Sequence, residues 1–375
     1  MKVKKMYIPF ADLSSQYRSL QPEIDLAMKQ VIEKCAFING PYAHKFEEEF
    51  AQFCAADFCV GVGNGTDALF VALKGLGVGP GDEVLVPAMT FIATAEAVSM
   101  AGAKPVFVDV DPENGTMDVA DLRAKISQAS KAVIPVHLYG HPADMEAIEP
   151  LARENGLFIV QDAAQAHGAT VGGRSLSAFG DCACYSFYPG KNLGAYGDAG
   201  AIVTGDAVLA ERMRKFANHG RKDKYDHQFE GVNSRMDGLQ AAVLSVKLKH
   251  LKDWTDRRRA VAAVYDRELS GIEGFKLLKR RVWAGHVYHL YVVRCNDREA
   301  LSDYLAENGV ASGIHYPVAV PFMEAYECYG HTHEDFPAAY AMQESILSLP
   351  MYAELSEDSA LRVCEVVRGY FAGAE

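Results

Sequence analysis

The sequence predicts an α/β fold: a mainly parallel seven-stranded sheet with helices on both faces, followed by a smaller C-terminal α+β domain. Two observations carry this. Short apolar runs alternate with longer helical patterns over the first 204 residues, and from about residue 236 the apolar positions recur at helical spacing instead. In order, runs near 58 to 62, 83 to 87, 105 to 108, 132 to 136, 157 to 161, 182 to 186 and 200 to 204 read as strands. Helical patterns at about 66 to 76, 91 to 101, 118 to 127 and 144 to 155 separate most of them. A helix between successive strands returns the chain to the same end of the sheet, so the strands lie parallel. The run at 200 to 204 follows a Gly-rich turn and is expected as an antiparallel edge strand. MDGLQAAVLSVKLKHLKDWTDRRRAVAAVYDREL then offers two successive amphipathic helices. They lead from a large domain, 1–245, into a small one, 246–375, built from VYHLYVVR (287 to 294), a helix at 298 to 308, GIHYP (313 to 317) and closing helices.

With 375 residues, 49% hydrophobic and 23% charged, the chain can bury a substantial core. Its formal net charge of −12 argues against nonspecific nucleic-acid binding, which needs a basic face. An anionic ligand would need a local cationic cluster, for which His219, Arg221, Lys222, Lys224 and Arg235 are candidates. A solvated loop at 219 to 232 is the plainer reading of those lysines. No apolar run of about 18 or more residues suggests a membrane span. The eight cysteines form no CxxC pair and the MKVKKMYIPF start lacks an apolar leader, so reduced thiols in the cytoplasm are expected. Cys182 and Cys184 alternate along one strand and so share a face. The HTHED run at 331 to 335 has a spacing that could touch a metal but reads as a polar loop, and no metal is assigned.

Three segments carry chemistry. SFYPGKNLGAYGDAGAIVT, 186 to 204, presents Lys191 among glycines and aromatics. A lysine amine has a free pKa of about 10.4 and becomes a nucleophile only when held neutral, by a dry pocket or an aldehyde partner. Pyridoxal 5'-phosphate (PLP) is such a partner; an exposed lysine in a Gly-rich turn is the alternative. GLFIVQDAAQAHGA, 156 to 169, ends an apolar strand in Gln161 and Asp162. Open α/β sheets place ligands at that strand end, where a carboxylate can keep a pyridine nitrogen protonated; a helix-capping Asp is the alternative. VGVGNGTDALFVALKG, starting at 60, opens a helix with glycines and Thr66, leaving free backbone N–H groups for an anion such as a cofactor phosphate. Neither GxGxxG nor a P-loop is present.

These motifs, with PFADL, PAMTFIATAEAV, PVFVDVDP, VIPVHLYGHPADM, NHGR, GVNSRMDGLQAAVLSVKL, GIHYP and LSLPMY in order along the chain, make it resemble the DegT/StrS family of PLP-dependent nucleotide-sugar aminotransferases, which have the aspartate aminotransferase fold (fold type I). The resemblance implies that Lys191 links to the cofactor aldehyde and later shuttles a proton. Asp162 would face the pyridine nitrogen and Gln165 the ring hydroxyl. Gly65, Thr66 and Ser186 would hold the phosphate and Phe91 would lie on the ring face. Asn233 would reach the phosphate from the neighbouring subunit of a homodimer. His219 and Arg235 are candidates for the substrate's anionic part, and Tyr188, His315 and Tyr316 for orienting the sugar; Tyr316 could equally be a packed aromatic. Members that dehydrate carry His in place of the lysine, whereas this chain keeps Lys191.

The implied reaction passes an amino group from glutamate through PLP to a keto group on a nucleotide-linked hexose. Asp67 in GNGTDAL resembles the form in relatives acting on 3-keto sugars, where C4 enzymes tend to carry GTAAL, and so points to C3. A dTDP-3-keto-6-deoxyhexose fits first, a UDP-3-keto-N-acetylhexosamine or its uronic acid second. A PLP lyase or an inert sugar-binding regulator are the other classes, and a regulator should lack Lys191 or Asp162.

Overall fold

The computed structural model describes residues 7–373; MKVKKM, part of the start read as lacking an apolar leader, lies outside the described residues. The strands are β1 Phe58–Val62, β2 Glu83–Pro87, β3 Lys104–Val108, β4 Ser130–Val133, β5 Phe158–Asp162, β6 Thr170–Val171, β7 Arg174–Ser175, β8 Cys182–Ser186, β9 Gly200–Thr204, β10 Phe275–Leu277, β11 Ala284–Gly285, β12 Tyr291–Cys295 and β13 Ile346–Leu349. Seven of them form the central sheet in the order β1-β9-β8-β5-β4-β2-β3. From β8 to β3 all neighbours are parallel. β9 runs antiparallel to both β1 and β8. It is therefore antiparallel as expected but internal, and the edge position belongs to β1. The physical reason is burial: every residue of β9 is buried, and β1 supplies the ladder partners that an apolar strand at an open edge would lack.

Both faces of the sheet are covered, which is why its strands read as continuous apolar runs rather than alternating ones. Along β8, Cys182 and Cys184 enter one core with the helices Gly65–Gly75 and Ala207–Phe216. Ala183 and Tyr185 enter another, where Phe46 and Phe50 meet Phe187 edge-on at 5.3 and 5.1 Å. The helices Leu13–Glu33 and Pro41–Phe53, which the sequence reading did not anticipate, carry these contacts and seat Leu20 and Ile24 against Val243, Val246 and Trp254.

Helices Gly238–Leu248 and Leu251–Leu269 lead into a three-stranded sheet, β10-β12-β13, closed by the helix Glu357–Ala372. β12 starts later than VYHLYVVR suggested. Side chains take the backbone carbonyls ahead of it: Asn192 Nδ2 donates to Val287 O at 3.0 Å and Arg258 Nη1 to Tyr288 O at 3.1 Å. GIHYP forms no strand, only an isolated bridge from Gly313 to Ser348. Among the described residues no helix is long and apolar enough to cross a membrane.

Candidate active site

β5 and β8 are parallel neighbours, so their carboxyl ends emerge side by side, carrying Asp162 and Ser186. A cavity of about 850 Å³ opens there. The loop after β8 brings Lys191 to its wall, and the start of the helix Gly65–Gly75 forms another part of that wall.

Asn64 caps that helix, its Oδ1 accepting the Asp67 N–H at 2.8 Å. The helix start lies against the sheet because position 65 has no side chain: a Cβ there would stand 2.6 Å from Ser186 Cβ. Gly65, Thr66 and Ser186 thereby line the cavity together, and a helix start beside a hydroxyl suits a phosphate. Asp67 is tied down at the entrance, accepting the Ser234 hydroxyl at 2.6 Å while that oxygen accepts the Gly63 N–H at 3.0 Å.

Asp162, also in the cavity lining, is buried, with its Oδ2 accepting from Thr94 Oγ1 at 2.8 Å and its Oδ1 from Ala164 N at 3.1 Å. Burial raises its pKa, while these two bonds and the charge of Lys191 oppose the rise. A partner carrying a positive charge would stabilise the ionised form. Lys191 has the complementary perturbation: loss of water lowers its pKa to about 8, only partly offset by Asp162. A larger share of it is therefore neutral near pH 7 than for a lysine in water. Gln165 is held between two contacts, Oε1 accepting from Tyr139 N at 2.5 Å and Nε2 donating to Tyr316 Oη at 3.0 Å. Tyr316 is thus a cavity residue, its ring 5.6 Å from that of Phe91. Phe91 is 53% exposed despite its apolar ring, and that surface faces the cavity. His315 stacks on Phe10 at 5.4 Å and bonds Ser348 Oγ at 2.9 Å. Burial, then Lys191, lower its pKa to about 4, so it is neutral. Tyr188, 59% exposed, completes the rim.

The remaining sequence candidates lie elsewhere in the single chain. Asn233 is exposed and bridges Asn218. Arg235 donates from Nη1 to Asn218 Oδ1 at 3.1 Å. His219 borders a separate depression with His227 and Phe229, and residues 222–230 are exposed.

Sequence reasoning missed Thr94, Arg258 and His289. Thr94 stands in the quoted TFIAT run, one helical turn after Thr90, whose hydroxyl it meets at 2.9 Å. His289 bonds Asn192 Oδ1 through Nδ1 at 3.2 Å. Thr94→Val keeps the shape and removes only the hydroxyl beside Asp162. Cofactor affinity is expected to fall roughly 10- to 150-fold, since a hydrogen bond to a charged group is worth about 1.5–3 kcal/mol, and Thr94→Ser should restore it, as read by absorbance titration.

The donor set fits PLP: an amine able to be neutral, a buried carboxylate, an amide, an aromatic ring and a helix start all line one cavity. Known proteins agree in sequence and in shape. The DegT/DnrJ/EryC1/StrS aminotransferase family profile matches residues 18–368. The chain is 45% identical over 361 residues to the dTDP-3-amino-3,4,6-trideoxy-alpha-D-glucose transaminase of Streptomyces venezuelae, covering 96% of this chain and 95% of that one. It is 42% identical over 361 residues to the UDP-N-acetyl-3-dehydro-alpha-D-glucosamine 3-aminotransferase of Acidithiobacillus ferrooxidans, covering 96% and 97%. The solved structure of S. venezuelae DesV in complex with a ketimine intermediate superposes with a TM-score of 0.96 at 45% identity, covering 97% of this chain and 98% of that one. With that family's profile spanning nearly its whole length and a lysine and carboxylate facing one cavity at the sheet's carboxyl edge, the chain belongs to the DegT/DnrJ/EryC1/StrS aminotransferases.

Proposed function

We propose that this enzyme transfers the amino group of glutamate to the C3 keto group of a dTDP-linked 3-keto-6-deoxyhexose, with PLP as cofactor. The observation that carries the reading is the convergence of Lys191 and Asp162 on one cavity, in a chain whose relatives include 3-amino-sugar transaminases. When bound, PLP supplies an electron sink that stabilises negative charge on the carbon exchanging its amino group.

The chain's own residues do the rest. Lys191 would hold the cofactor covalently, and its amine would move the proton at that carbon. Asp162, fixed by Thr94 and the Ala164 N–H, keeps a proton on the ring nitrogen. Gln165 bonds the ring hydroxyl, Phe91 covers the ring face, and Gly65, Thr66 and Ser186 hold the phosphate. Tyr188, His315 and Tyr316 orient the sugar. The neutral imidazole of His315 can accept a sugar hydroxyl without adding charge beside Lys191.

The cavity of a single chain opposes its own substrates. Six carboxylates line it (Asp12, Asp67, Glu96, Asp162, Asp198 and Glu354) against the cations Lys191 and Arg258, whereas cofactor phosphate, diphosphate and glutamate are all anionic. A cytoplasmic homodimer resolves this: Asn233 of one protomer reaches the other's phosphate site, and the segment around the exposed residues 222–230 brings His219 and Arg235 toward the diphosphate.

The UDP relative supports a second reading, a UDP-linked 3-keto-N-acetylhexosamine or uronic acid. A panel of dTDP- and UDP-linked 3-keto and 4-keto sugars, offered with glutamate and PLP and read by mass and NMR, tests both. The dTDP 3-keto sugar is expected to be aminated fastest. Turnover of 4-keto sugars alone would overturn the C3 assignment, and reaction of free keto acids but no nucleotide sugar would overturn the substrate class.

A further inference from the structure

Arg258, on the helix Leu251–Leu269, is only 8% exposed yet lines the cavity. Its Nη1 donates to Met351 O at 2.9 Å, Tyr288 O at 3.1 Å and His289 O at 3.4 Å. Nε and Nη2, with three further N–H groups between them, bond no other described residue. Among the described residues no salt bridge ties the guanidinium; Glu354, which lines the same cavity, acts on it electrostatically without a hydrogen bond. Buried charges are ordinarily paired, and a guanidinium fork with one edge pinned to carbonyls and the other free is shaped for a carboxylate.

Position selects which carboxylate. Arg258 holds the His289 carbonyl, and the His289 ring bonds Asn192, the residue after Lys191. Arg258 and Lys191 line the same cavity, and both charges act on the His289 ring. In an amino acid the α-carboxylate is attached to the very carbon that loses its amino group, so it must lie close to Lys191. The γ-carboxylate of glutamate lies further out, and a sugar's diphosphate is separated from C3 by the ring.

We propose that Arg258 binds the α-carboxylate of the amine donor through Nε and Nη2, and so selects an amino acid for the first half-reaction. The assignment rests on the transaminase reading above. When the sugar replaces the donor, the same fork faces uncharged hydroxyls, so its free edge bears chiefly on the donor step.

The test uses the holoenzyme in single turnover, following cofactor absorbance with L-glutamate, its α-amide, L-glutamine and, in reverse, the dTDP-3-amino sugar. In the parent protein the α-amide should bind roughly 10- to 150-fold more weakly than glutamate, the range spanned by a hydrogen bond to a charged group. Arg258→Lys should weaken glutamate by a similar factor, abolish the preference for glutamate over its α-amide, and slow the amino-sugar half-reaction far less than the glutamate one. Equal slowing of both half-reactions would make Arg258 a structural tie and overturn the proposal. So would a parent protein indifferent to the α-amide, a comparison that needs no variant, or a loss confined to the glutamate–glutamine difference. If the amino sugar converts the parent's cofactor and no amino acid does, the donor reading and this assignment fall together. If glutamate converts it and the amino sugar does not, the sugar reading alone falls, and the α-amide comparison still decides Arg258.

Discussion

Lys191→Ala is expected to lower turnover by about 10⁴-fold, the upper range for losing a positioned proton-transfer group, and to abolish the visible band of the lysine-linked cofactor. The two losses should coincide because one nitrogen performs both tasks. The fold should survive: Lys191 lies in a loop, and its amine is already penalised by burial, which lowers its pKa to about 8. Circular dichroism should therefore match the parent protein. A small primary amine added to the variant should recover part of the half-reaction rate, since it can occupy the space vacated and accept the proton. Full turnover in the variant, or loss of activity with the visible band intact, would assign the chemistry to another group.

Asp162→Asn should separate what Lys191→Ala joins. The amide keeps the shape and can still accept from Thr94 Oγ1, which lies 2.8 Å from Oδ2, but it carries no charge to hold a proton on a ring nitrogen. Cofactor should still attach to Lys191 and absorb in the visible, while turnover falls by about 10²- to 10³-fold, as when one preorganised electrostatic group is removed. Lys191 should respond as well. Asp162 raises its pKa against the effect of burial, so without that carboxylate the amine of the cofactor-free variant should titrate below the parent's. A titration of the lysine in the cofactor-free proteins checks the sign; an unchanged or higher value would mean that the two groups do not interact as described.

The contrast between these residues and Arg258 shows which parts of the site were legible in sequence. Lys191, Asp162 and Thr66 each sit where a periodic element ends in small residues, and such junctions announce themselves locally. Strand positions followed for the same reason: seven apolar runs, each covered on both faces, match the seven strands of the central sheet to within a few residues. What local pattern could not supply was adjacency. β9 was read as an edge strand because nothing near residue 200 reveals that β1, from 58 to 62, pairs with it. Thr94, Arg258 and His289 belong to a helix start, a long linking helix and a segment that bends before β12. They meet only through tertiary packing. Arg258 in particular reads in sequence as one of three consecutive arginines on an amphipathic helix, and only the fold separates it from its exposed neighbours. VYHLYVVR misled in a related way: an apolar alternation fit for a strand is diverted over its first residues because side chains of Asn192 and Arg258 capture its carbonyls.

The most direct test is borohydride reduction of the PLP-loaded protein followed by peptide mass mapping. A pyridoxyl-phosphate adduct confined to the peptide bearing residue 191 is predicted. An adduct on a different lysine, or none at all, would contradict the attachment on which the catalytic reading is built.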